Sequence, residues 1–197
     1  MTNLEIKHIA GTSVPIQGND IDTDRIIPAR FLKEITFEHM GNYLFHDERM
    51  APDGSQTDHP LNLPKFKGAS IMIVGNNFGC GSSREHAAQA VLRYGIKAII
   101  GESYSEIFSG NCKNIGIPTL IVTPIIQKAL TKMAIAFPDA PLHIDLETLT
   151  LTTSGNTYPI SLPKEWQHAF LNGTWNATYT LKANIALIKQ KDQELPY

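Results

Sequence analysis

The residues of this sequence that could do chemistry are concentrated in one stretch of eleven, residues 76–86. It reads Asn-Asn-Phe-Gly-Cys-Gly-Ser-Ser-Arg-Glu-His, which combines a glycine-rich turn with a thiol, two hydroxyls, a guanidinium, a carboxylate and an imidazole. Upstream, residues 69–75 are apolar and rich in β-branched side chains, which predicts a buried strand. Downstream, apolar residues recur at helical spacing from Ala87 to Leu92. A strand-to-helix turn of this kind directs free backbone N–H groups toward an anion, which indicates a site for an acidic small molecule.

Part of this stretch also has a purely structural interpretation. Ser82 and Glu85 have the Ser-x-x-Glu spacing of a capping box, in which the two side chains bond the backbone at a helix start. The glycine pair, the second hydroxyl and the guanidinium around them favour a functional site, because a cap needs none of these groups. The spacing alone leaves open which of Ser82 and Ser83 caps the helix and which is free.

Two further chemistries are weaker interpretations of the same stretch. Cys80 and His86 could form a thiol nucleophile and its base, but no third group orients the histidine as such a pair requires. A small buried thiol in a turn is the favoured interpretation of Cys80, and His86 is expected to satisfy hydrogen bonds within the first helical turn. Neither standard phosphate-binding glycine motif is present, so Gly79-Cys80-Gly81 is only a weak indication of a phosphate cradle.

The acidic run Asp20-x-Asp22-x-Asp24 resembles the start of a calcium-binding loop. The glycine and the distal glutamate that such a loop requires are not filled, which argues against calcium. Asp24 and the adjacent Arg25 are typical of a solvated ion pair when the residues are considered alone.

The middle third of the chain predicts strands alternating with helices. Strands are expected at 70–75, 97–101 and 118–122, with helices at 83–94 and 105–114 and a third from Thr123-Pro124 to Pro138. Alternation at this spacing favours right-handed βαβ crossovers and a largely parallel sheet. The third helix is expected to bury an apolar face formed by Ile125, Ile126, Ala129, Leu130, Met133, Ala134 and Phe137.

The outer thirds differ from this pattern. Residues 46–68 carry few apolar positions and predict a long surface loop. The last third predicts strands at 143–146 and 149–152, then a turn into 158–160. Two helices follow, at Lys164–Leu171 and Leu181–Lys191. The expected class is α/β with some antiparallel pairing.

Composition limits the classes of partner. A chain of 197 residues suits one domain, with or without a C-terminal extension, and its net charge of −2 gives no reason to expect nucleic acid or a membrane surface as partner. No apolar run approaches the roughly 20 residues of a membrane span, and the N-terminus lacks the layout of a signal peptide. Two cysteines form neither a disulfide framework nor a metal site by themselves, so a cytoplasmic protein is expected.

Two segments, residues 77–86 and 22–32, resemble the signature segments of the small-subunit family of 3-isopropylmalate dehydratase, a hydro-lyase of the aconitase superfamily. The resemblance continues through Phe108-x-x-x-Cys112 and Leu171-Asn172-Gly173, so it covers nearly the whole chain. It implies a swivelling β/β/α domain with a parallel βαβ core at about residues 1–125 and a C-terminal hairpin-plus-helix extension at about 126–197. Residues 174–176 depart from the family, because an acidic residue is expected there.

The resemblance also implies a partner and a reaction. A large subunit would carry a [4Fe–4S] cluster on three cysteines, this chain would hold no cofactor, and the pair would interconvert 2- and 3-isopropylmalate in leucine biosynthesis by removing and re-adding water. Two alternatives stay open: the small subunit of a related hydro-lyase acting on homoaconitate, citraconate or a methylated malate, and a non-catalytic anion-binding module. The isolated chain is expected to self-associate through the surface meant for its partner.

Site residues follow from the resemblance. Ser82 would be the base that takes a proton from carbon, and Arg84, with Ser83 beside it, would bind a substrate carboxylate. A serine hydroxyl is a poor base unless its anion is stabilised, which the following helix N-terminus can do in part. The planar fork of arginine suits a dicarboxylate.

The resemblance implies two further site residues, Asp24 and Lys33. Asp24 would lie at the mouth of the site. The segment Arg30 to Ile35 matches the loop that sets substrate choice, with Lys33 close to the residue that reads the variable group of the substrate.

Overall fold

Two four-stranded sheets organise the fold in the computed structural model, which describes residues 4–176, 178, 181–182 and 184–193. The strands are β1 His8–Gly11, β2 Ser13–Pro15, β3 Ile71–Ile73, β4 Ala98–Gly101, β5 Thr119–Ile121, β6 Leu142–Asp145, β7 Thr150–Thr153 and β8 Asn156–Pro159. One sheet is parallel, in the order β2-β3-β4-β5, and the other is antiparallel, in the order β1-β6-β7-β8. The α/β class with a parallel core and some antiparallel pairing is confirmed. Because β1 pairs with β6, the proposed extension shares a sheet with the N-terminus, and a boundary near residue 125 stays a prediction.

Helices connect and cover these strands. They are α1 Thr23–Ile26, α2 His46–Arg49, α3 Glu85–Tyr94, α4 Glu106–Asn114, α5 Pro124–Ala136, α6 Lys164–Leu171 and α7 Ile185–Gln193, with 3₁₀ turns at Ala29–Lys33, Met40–Tyr43, Pro60–Asn62 and Pro64–Phe66. Since α3, α4 and α5 follow β3, β4 and β5 in turn, all three begin at the carboxyl edge of the parallel sheet. Part of the predicted final helix, including residue 183, lies outside the described residues. Among the described helices, none is long and apolar enough to cross a membrane.

The parallel sheet is buried on both faces. Met72 of β3 and Ile99 of β4 belong to the apolar cluster that includes α3 and α4, whereas Ile71 and Ile73 belong to the cluster that includes α5, α6 and the antiparallel sheet. Burial on both faces explains why these strands are continuous apolar runs in the sequence rather than alternating patterns.

The buried face of α5 is narrower than predicted. Leu130 and Ala134 are buried, but Ala129 is exposed, and so are Ile125 (81% exposed) and Phe137 (65% exposed). A helix of 13 residues is about 20 Å long, whereas β2 and β3, the strands against which α5 packs, have three residues each and span about 10 Å. Both ends of α5 therefore extend beyond these strands.

Residues 46–68 lie at the surface as the composition predicts, but they are more ordered than a loop. Besides α2, the segment contains two 3₁₀ turns, and it buries Leu61 and Phe66 against the core. Polar side chains hold it in place: Arg49 Nε donates to Asn62 Oδ1 (3.0 Å), and Asn62 Nδ2 donates to the Arg49 carbonyl (2.7 Å). Such hydrogen bonds leave no apolar periodicity, so hydropathy does not reveal them.

His59 lies buried within this segment and makes its stability dependent on pH. Burial lowers the pKa of the His59 imidazole to about 4, and its Nδ1 accepts a hydrogen bond from the Leu61 N–H (3.2 Å). The unfolded chain has an ordinary histidine pKa of about 6.5, so it binds more protons than the folded chain between about pH 6.5 and pH 4. The contribution of the neutral imidazole to stability is therefore present at pH 7 and is lost as the pH falls through this window.

We expect this contribution to the free energy of unfolding to fall by about 2 kcal/mol between pH 7 and pH 5. The measurement is urea unfolding followed by circular dichroism at both pH values, for the wild type and for His59→Asn. Asparagine keeps a capping acceptor but does not titrate, so its variant should lose less stability on acidification. An equal pH dependence in the two proteins would contradict the role of His59.

Candidate active site

The turn between β3 and α3 is held on both sides by other segments of the chain. Residues 19–23 lie along one side and residues 103–105 along the other. The bonds that join them are Gly79 N–Ile21 O (2.7 Å), Thr23 N–Cys80 O (2.9 Å), Phe78 N–Ser103 O (3.1 Å) and Ser105 N–Phe78 O (3.0 Å). The turn is therefore a fixed part of the carboxyl edge of the parallel sheet.

Gly79 allows this close approach. Its φ is +77°, and a Cβ at this position would lie 2.2 Å from Cγ of Phe108, a buried residue of α4. Gly81 also has a positive φ, +90°, but the nearest atoms to a Cβ there would be 3.5 Å away. The two glycines therefore share a backbone requirement, and only Gly79 also needs the space.

Because only Gly79 needs the space, alanine should destabilise the protein more at Gly79 than at Gly81. Gly79→Ala should lower the free energy of unfolding by about 2–4 kcal/mol, because it adds a steric clash to the cost of a positive φ. Gly81→Ala should cost about 1 kcal/mol, since only the backbone cost applies. Urea denaturation of both variants measures the difference, and equal losses would show that the contact with Phe108 is unimportant.

Neither Ser82 nor Ser83 is used to cap the start of α3. The helix begins at Glu85, its N-cap residue is Arg84, and no side chain caps it. The predicted capping box does not form, because Glu85 accepts a hydrogen bond from Gln89 (3.1 Å) and neither Ser82 nor Ser83 caps the helix. Both serines are exposed. Among the described residues, none accepts a hydrogen bond from the backbone N–H groups of residues 81–84, so they are free to bind an anion.

Asp24 and Arg84 form a bidentate ion pair that joins the two signature segments. One guanidinium nitrogen of Arg84 donates to Oδ1 of Asp24 and the other donates to Oδ2 (3.0 Å). The Arg84 side chain is only 15% exposed, whereas Asp24 is 56% exposed, so the carboxylate lies at the surface and the guanidinium behind it. The interpretation of Asp24 as the partner of Arg25 is wrong, because Arg25 Nε instead donates to Glu48 Oε1 (2.6 Å).

Backbone contacts fix both members of this pair. Asp22 Oδ1 accepts a hydrogen bond from the Arg25 N–H (2.8 Å) and so caps α1, the helix that carries Asp24. Thr23 Oγ1 donates to the Ser82 carbonyl (3.0 Å), which links α1 directly to the turn. The positions of Asp24, Ser82 and Arg84 are therefore coupled through α1.

The structure does not support the thiol and calcium interpretations. The His86 ring packs edge-on against Phe37, with centroids 5.3 Å apart, and it makes no hydrogen bond with the described residues, contrary to the expectation of bonds within the first turn. Asp20 accepts from Asn77, Asp22 caps α1 and Asp24 binds Arg84, so the three carboxylates have separate partners.

The residues of this chain do not fit an iron–sulfur cluster. Cys80 is half-buried in the turn, and Cys112 is fully buried in α4, where burial raises the pKa of its thiol. Within the part of the chain that the structure describes, no group of three or more His, Cys, Asp or Glu side chains could hold a metal ion. Two separated thiols are too few for a cluster that needs at least three protein ligands.

Lys33 lies on a separate segment beside the site. It is exposed at the end of the 3₁₀ turn Ala29–Lys33, and its side chain has no hydrogen bond or ion pair with another described residue. Arg30 binds the Asp47 carboxylate with two nitrogens, one at 2.8 Å, and this hydrogen bonding lowers the pKa of Asp47. The structure therefore does not bring Lys33 into the Asp24–Arg84 pair.

Sequence reasoning missed three residues that shape the site. Phe37 packs against His86, so the end of the loop that carries Lys33 lies beside the first turn of α3. Asp47 and Glu48 anchor that loop and α1, respectively, through their arginine partners. No local pattern indicates these contacts, since the partners are 17 and 23 residues apart in sequence.

Comparison with known proteins agrees with this geometry. The family model described as the aconitase C-terminal domain matches residues 4–124, which is more than half of the chain. The chain belongs to the aconitase C-terminal domain family.

Similar proteins indicate to which group within the family the chain belongs. A protein named 3-isopropylmalate dehydratase small subunit from Thermus thermophilus is 46% identical over 189 residues, which cover 96% of this chain and 94% of the relative. A protein of the same name from Synechocystis is 43% identical over 194 residues, covering 98% and 95%. The crystal structure of 3-isopropylmalate dehydratase (LeuD) from Methanocaldococcus jannaschii has a TM-score of 0.68 at 26% identity, covering 93% of this chain and 99% of that one. Within the family, the chain groups with the small subunits of 3-isopropylmalate dehydratase.

Proposed function

We propose that this chain is the small subunit of a 3-isopropylmalate dehydratase, which isomerises 2- and 3-isopropylmalate by dehydration and rehydration in leucine biosynthesis. The observation that carries the proposal is the Asp24–Arg84 pair, which joins the two signature segments beside two exposed serines at the start of α3. A cationic fork, free backbone N–H groups and an uncapped helix N-terminus together form a site for a small dicarboxylate.

Ser82 acts as the base in this proposal. During dehydration its oxygen takes the proton from one substrate carbon while the hydroxide leaves the neighbouring carbon, a departure that the Lewis-acidic cluster of the large subunit would assist. During rehydration the proton and the hydroxide are added back with their carbons exchanged, and Ser82 supplies the proton. A serine oxygen does this only if its anion is stabilised. The N-terminus of α3 and the free N–H groups of residues 81–84 supply favourable partial charge at this point.

Arg84 binds a carboxylate of the substrate, with the Ser83 hydroxyl as a second donor. The guanidinium has five N–H donors in a fixed plane, and Asp24 occupies two of them. Asp24 therefore orients the fork at the mouth of the site and leaves the remaining donors for the substrate. A lysine would not fix the orientation of its remaining donors in this way, because its ammonium is a point charge without a planar fork.

The rest of the active site belongs to the large subunit. Because the residues of this chain do not fit a [4Fe–4S] cluster, the cluster is assigned to the large subunit. The reducing cytoplasm suits both a cluster enzyme and a chain with two free cysteines.

Lys33 and the loop around it set the substrate in this proposal. The Phe37–His86 contact places the end of this loop beside the first turn of α3, where it can approach the substituent that distinguishes one hydroxyacid from another. A related hydro-lyase acting on homoaconitate, citraconate or a methylated malate would share the same Ser82 and Arg84 chemistry.

The test is anaerobic reconstitution with the cluster-loaded large subunit from the same organism. We expect activity on 3-isopropylmalate only when both chains are present, followed through the absorbance of the unsaturated intermediate. Activity on citraconate or homoaconitate alone would keep the chemistry and change the pathway. Ligand binding by the isolated chain, with no activity in a complex that has formed, would favour the anion-binding module.

A further inference from the structure

Exposed isoleucines lie along the edge of the parallel sheet that carries Ser82. Ile107 is 52% exposed in the first turn of α4, Ile121 is 38% exposed at the end of β5, and Ile125 is 81% exposed in the first turn of α5. Ile35 is 99% exposed and lies two residues before Phe37, which contacts His86 at the start of α3. Large apolar side chains grouped on one edge of a soluble domain mark an interaction surface.

We infer that this edge, with Ile107 and Ile125 as its apolar anchors, is the docking surface for the large subunit. The inference rests on the proposed function. It adds to that function the residues through which the two chains hold together, none of which belongs to the proposed catalytic set.

The partner that binds this edge can be inferred because the active site on this chain is incomplete. Ser82 and Ser83 are exposed, and this chain does not fit the cluster, so the chain that completes the site must cover the edge on which the serines lie. A standard interface buries about 800 Å² on each partner, which corresponds to a patch about 30 Å across. A patch of that width centred on the start of α3 also covers the starts of α4 and α5, because the three helices follow neighbouring strands.

The orientation of the side chains agrees with this assignment. Side chains on a helix lean toward its N-terminus, so residues in a first turn project outward from the edge where the helix begins. Ile107 and Ile125 both occupy the second position of their helices. Phe137 is the informative contrast, because it is also exposed but lies at the other end of α5, about 18 Å along the helix axis from Ile125 and on the side of β2.

The experiment measures the Kd between this chain and the cluster-loaded large subunit by sedimentation velocity or by a surface-binding method. Ile107→Asp and Ile125→Asp should each raise Kd by about tenfold, and the double variant should raise it by about a hundredfold. Activity should return when the large subunit is in excess. Aspartate is favourable in the first turn of a helix, so these variants should stay folded, and Ile125→Ser is a milder second variant.

Two controls separate this inference from the proposed function. Phe137→Asp introduces the same charge at the far end of α5 and should leave both Kd and activity unchanged, while Ser82→Ala should lower kcat by about 10²–10⁴-fold without changing Kd. If the wild-type complex is active and Ile107→Asp and Ile125→Asp bind like the wild type, the docking surface is wrong and the proposed function stands. If the variants alter only self-association of the isolated chain, the occupant of the edge is a second copy and the inference is overturned. The absence of any complex with the wild-type chain would overturn both.

Discussion

Replacing Ser82 by alanine is expected to lower kcat of the reconstituted two-chain enzyme by about 10²–10⁴-fold, the usual contribution of a positioned general base. The substitution removes the oxygen that takes the proton from carbon and leaves the fold intact, because the Ser82 side chain is exposed and does not cap α3. The measurement is kcat and KM for 3-isopropylmalate with saturating large subunit. The KM should change little, because Ser82 is assigned to proton transfer and not to binding the carboxylate.

Ser83→Ala is the matched control for this prediction. It removes the same hydroxyl from the adjacent exposed position, and it should act mainly on KM, since Ser83 is assigned to binding the substrate. A large fall in kcat for Ser83→Ala together with a normal Ser82→Ala enzyme would exchange the two roles. Normal kcat in both variants would remove the serines from the chemistry and favour a site that binds anions without catalysis.

The second large effect is expected at Arg84. Arg84→Lys should lower kcat/KM by about tenfold to a hundredfold, because it removes part of a bidentate contact and hydrogen bonds to charged groups contribute about 1.5–3 kcal/mol. Lysine keeps the charge but loses the planar fork, so it cannot bind Asp24 through two nitrogens and still present donors in a fixed plane to a substrate carboxylate. The readout is the steady-state KM for 3-isopropylmalate, which should rise more than kcat falls.

Arg93→Lys provides the control, because Arg93 is exposed near the end of α3 and far from its first turn. It should behave as the wild type. Asp24→Asn tests the pair from the other side: the amide cannot accept two hydrogen bonds from the fork, so the guanidinium should lose its orientation and KM should rise. An unchanged KM in both Arg84→Lys and Asp24→Asn would separate this ion pair from substrate binding.

The sequence predicts the middle of this fold well. The strands before α3 and α4 are apolar runs that are buried on both faces, and Ser105 and Thr123 cap α4 and α5 as typical N-cap residues do. Lys164–Leu171 also has the bounds that its amphipathic pattern predicts. These elements depend on interactions between residues close in sequence, so local pattern is sufficient to define them.

The predictions that failed depended on contacts that the local pattern does not specify. The Ser82–Glu85 spacing predicts a capping box, yet Glu85 binds Gln89 and the helix begins without a cap. The composition of residues 46–68 predicts a surface loop, yet a hydrogen bond from the Tyr94 hydroxyl to the Leu61 carbonyl (2.8 Å) holds it against the core, where burial of His59 lowers the pKa of that histidine. The apolar residues of α5 predict one broad buried face, yet β2 and β3, against which it packs, are too short to cover both ends of the helix.

For the candidate site too, the sequence predicts some features and only the tertiary structure determines the others. Its residue types, and their match to the two signature segments, could be identified from the sequence alone, because the strand-to-helix turn that carries Ser82, Ser83 and Arg84 is continuous in the chain. Tertiary structure decided which groups meet: it placed Asp24 against Arg84 across 60 residues, kept both serines exposed and left Lys33 on a neighbouring loop. The physical reason is that ion pairs and packing depend on distance in space, which the order of strands in the sheet determines and the local pattern of residues does not.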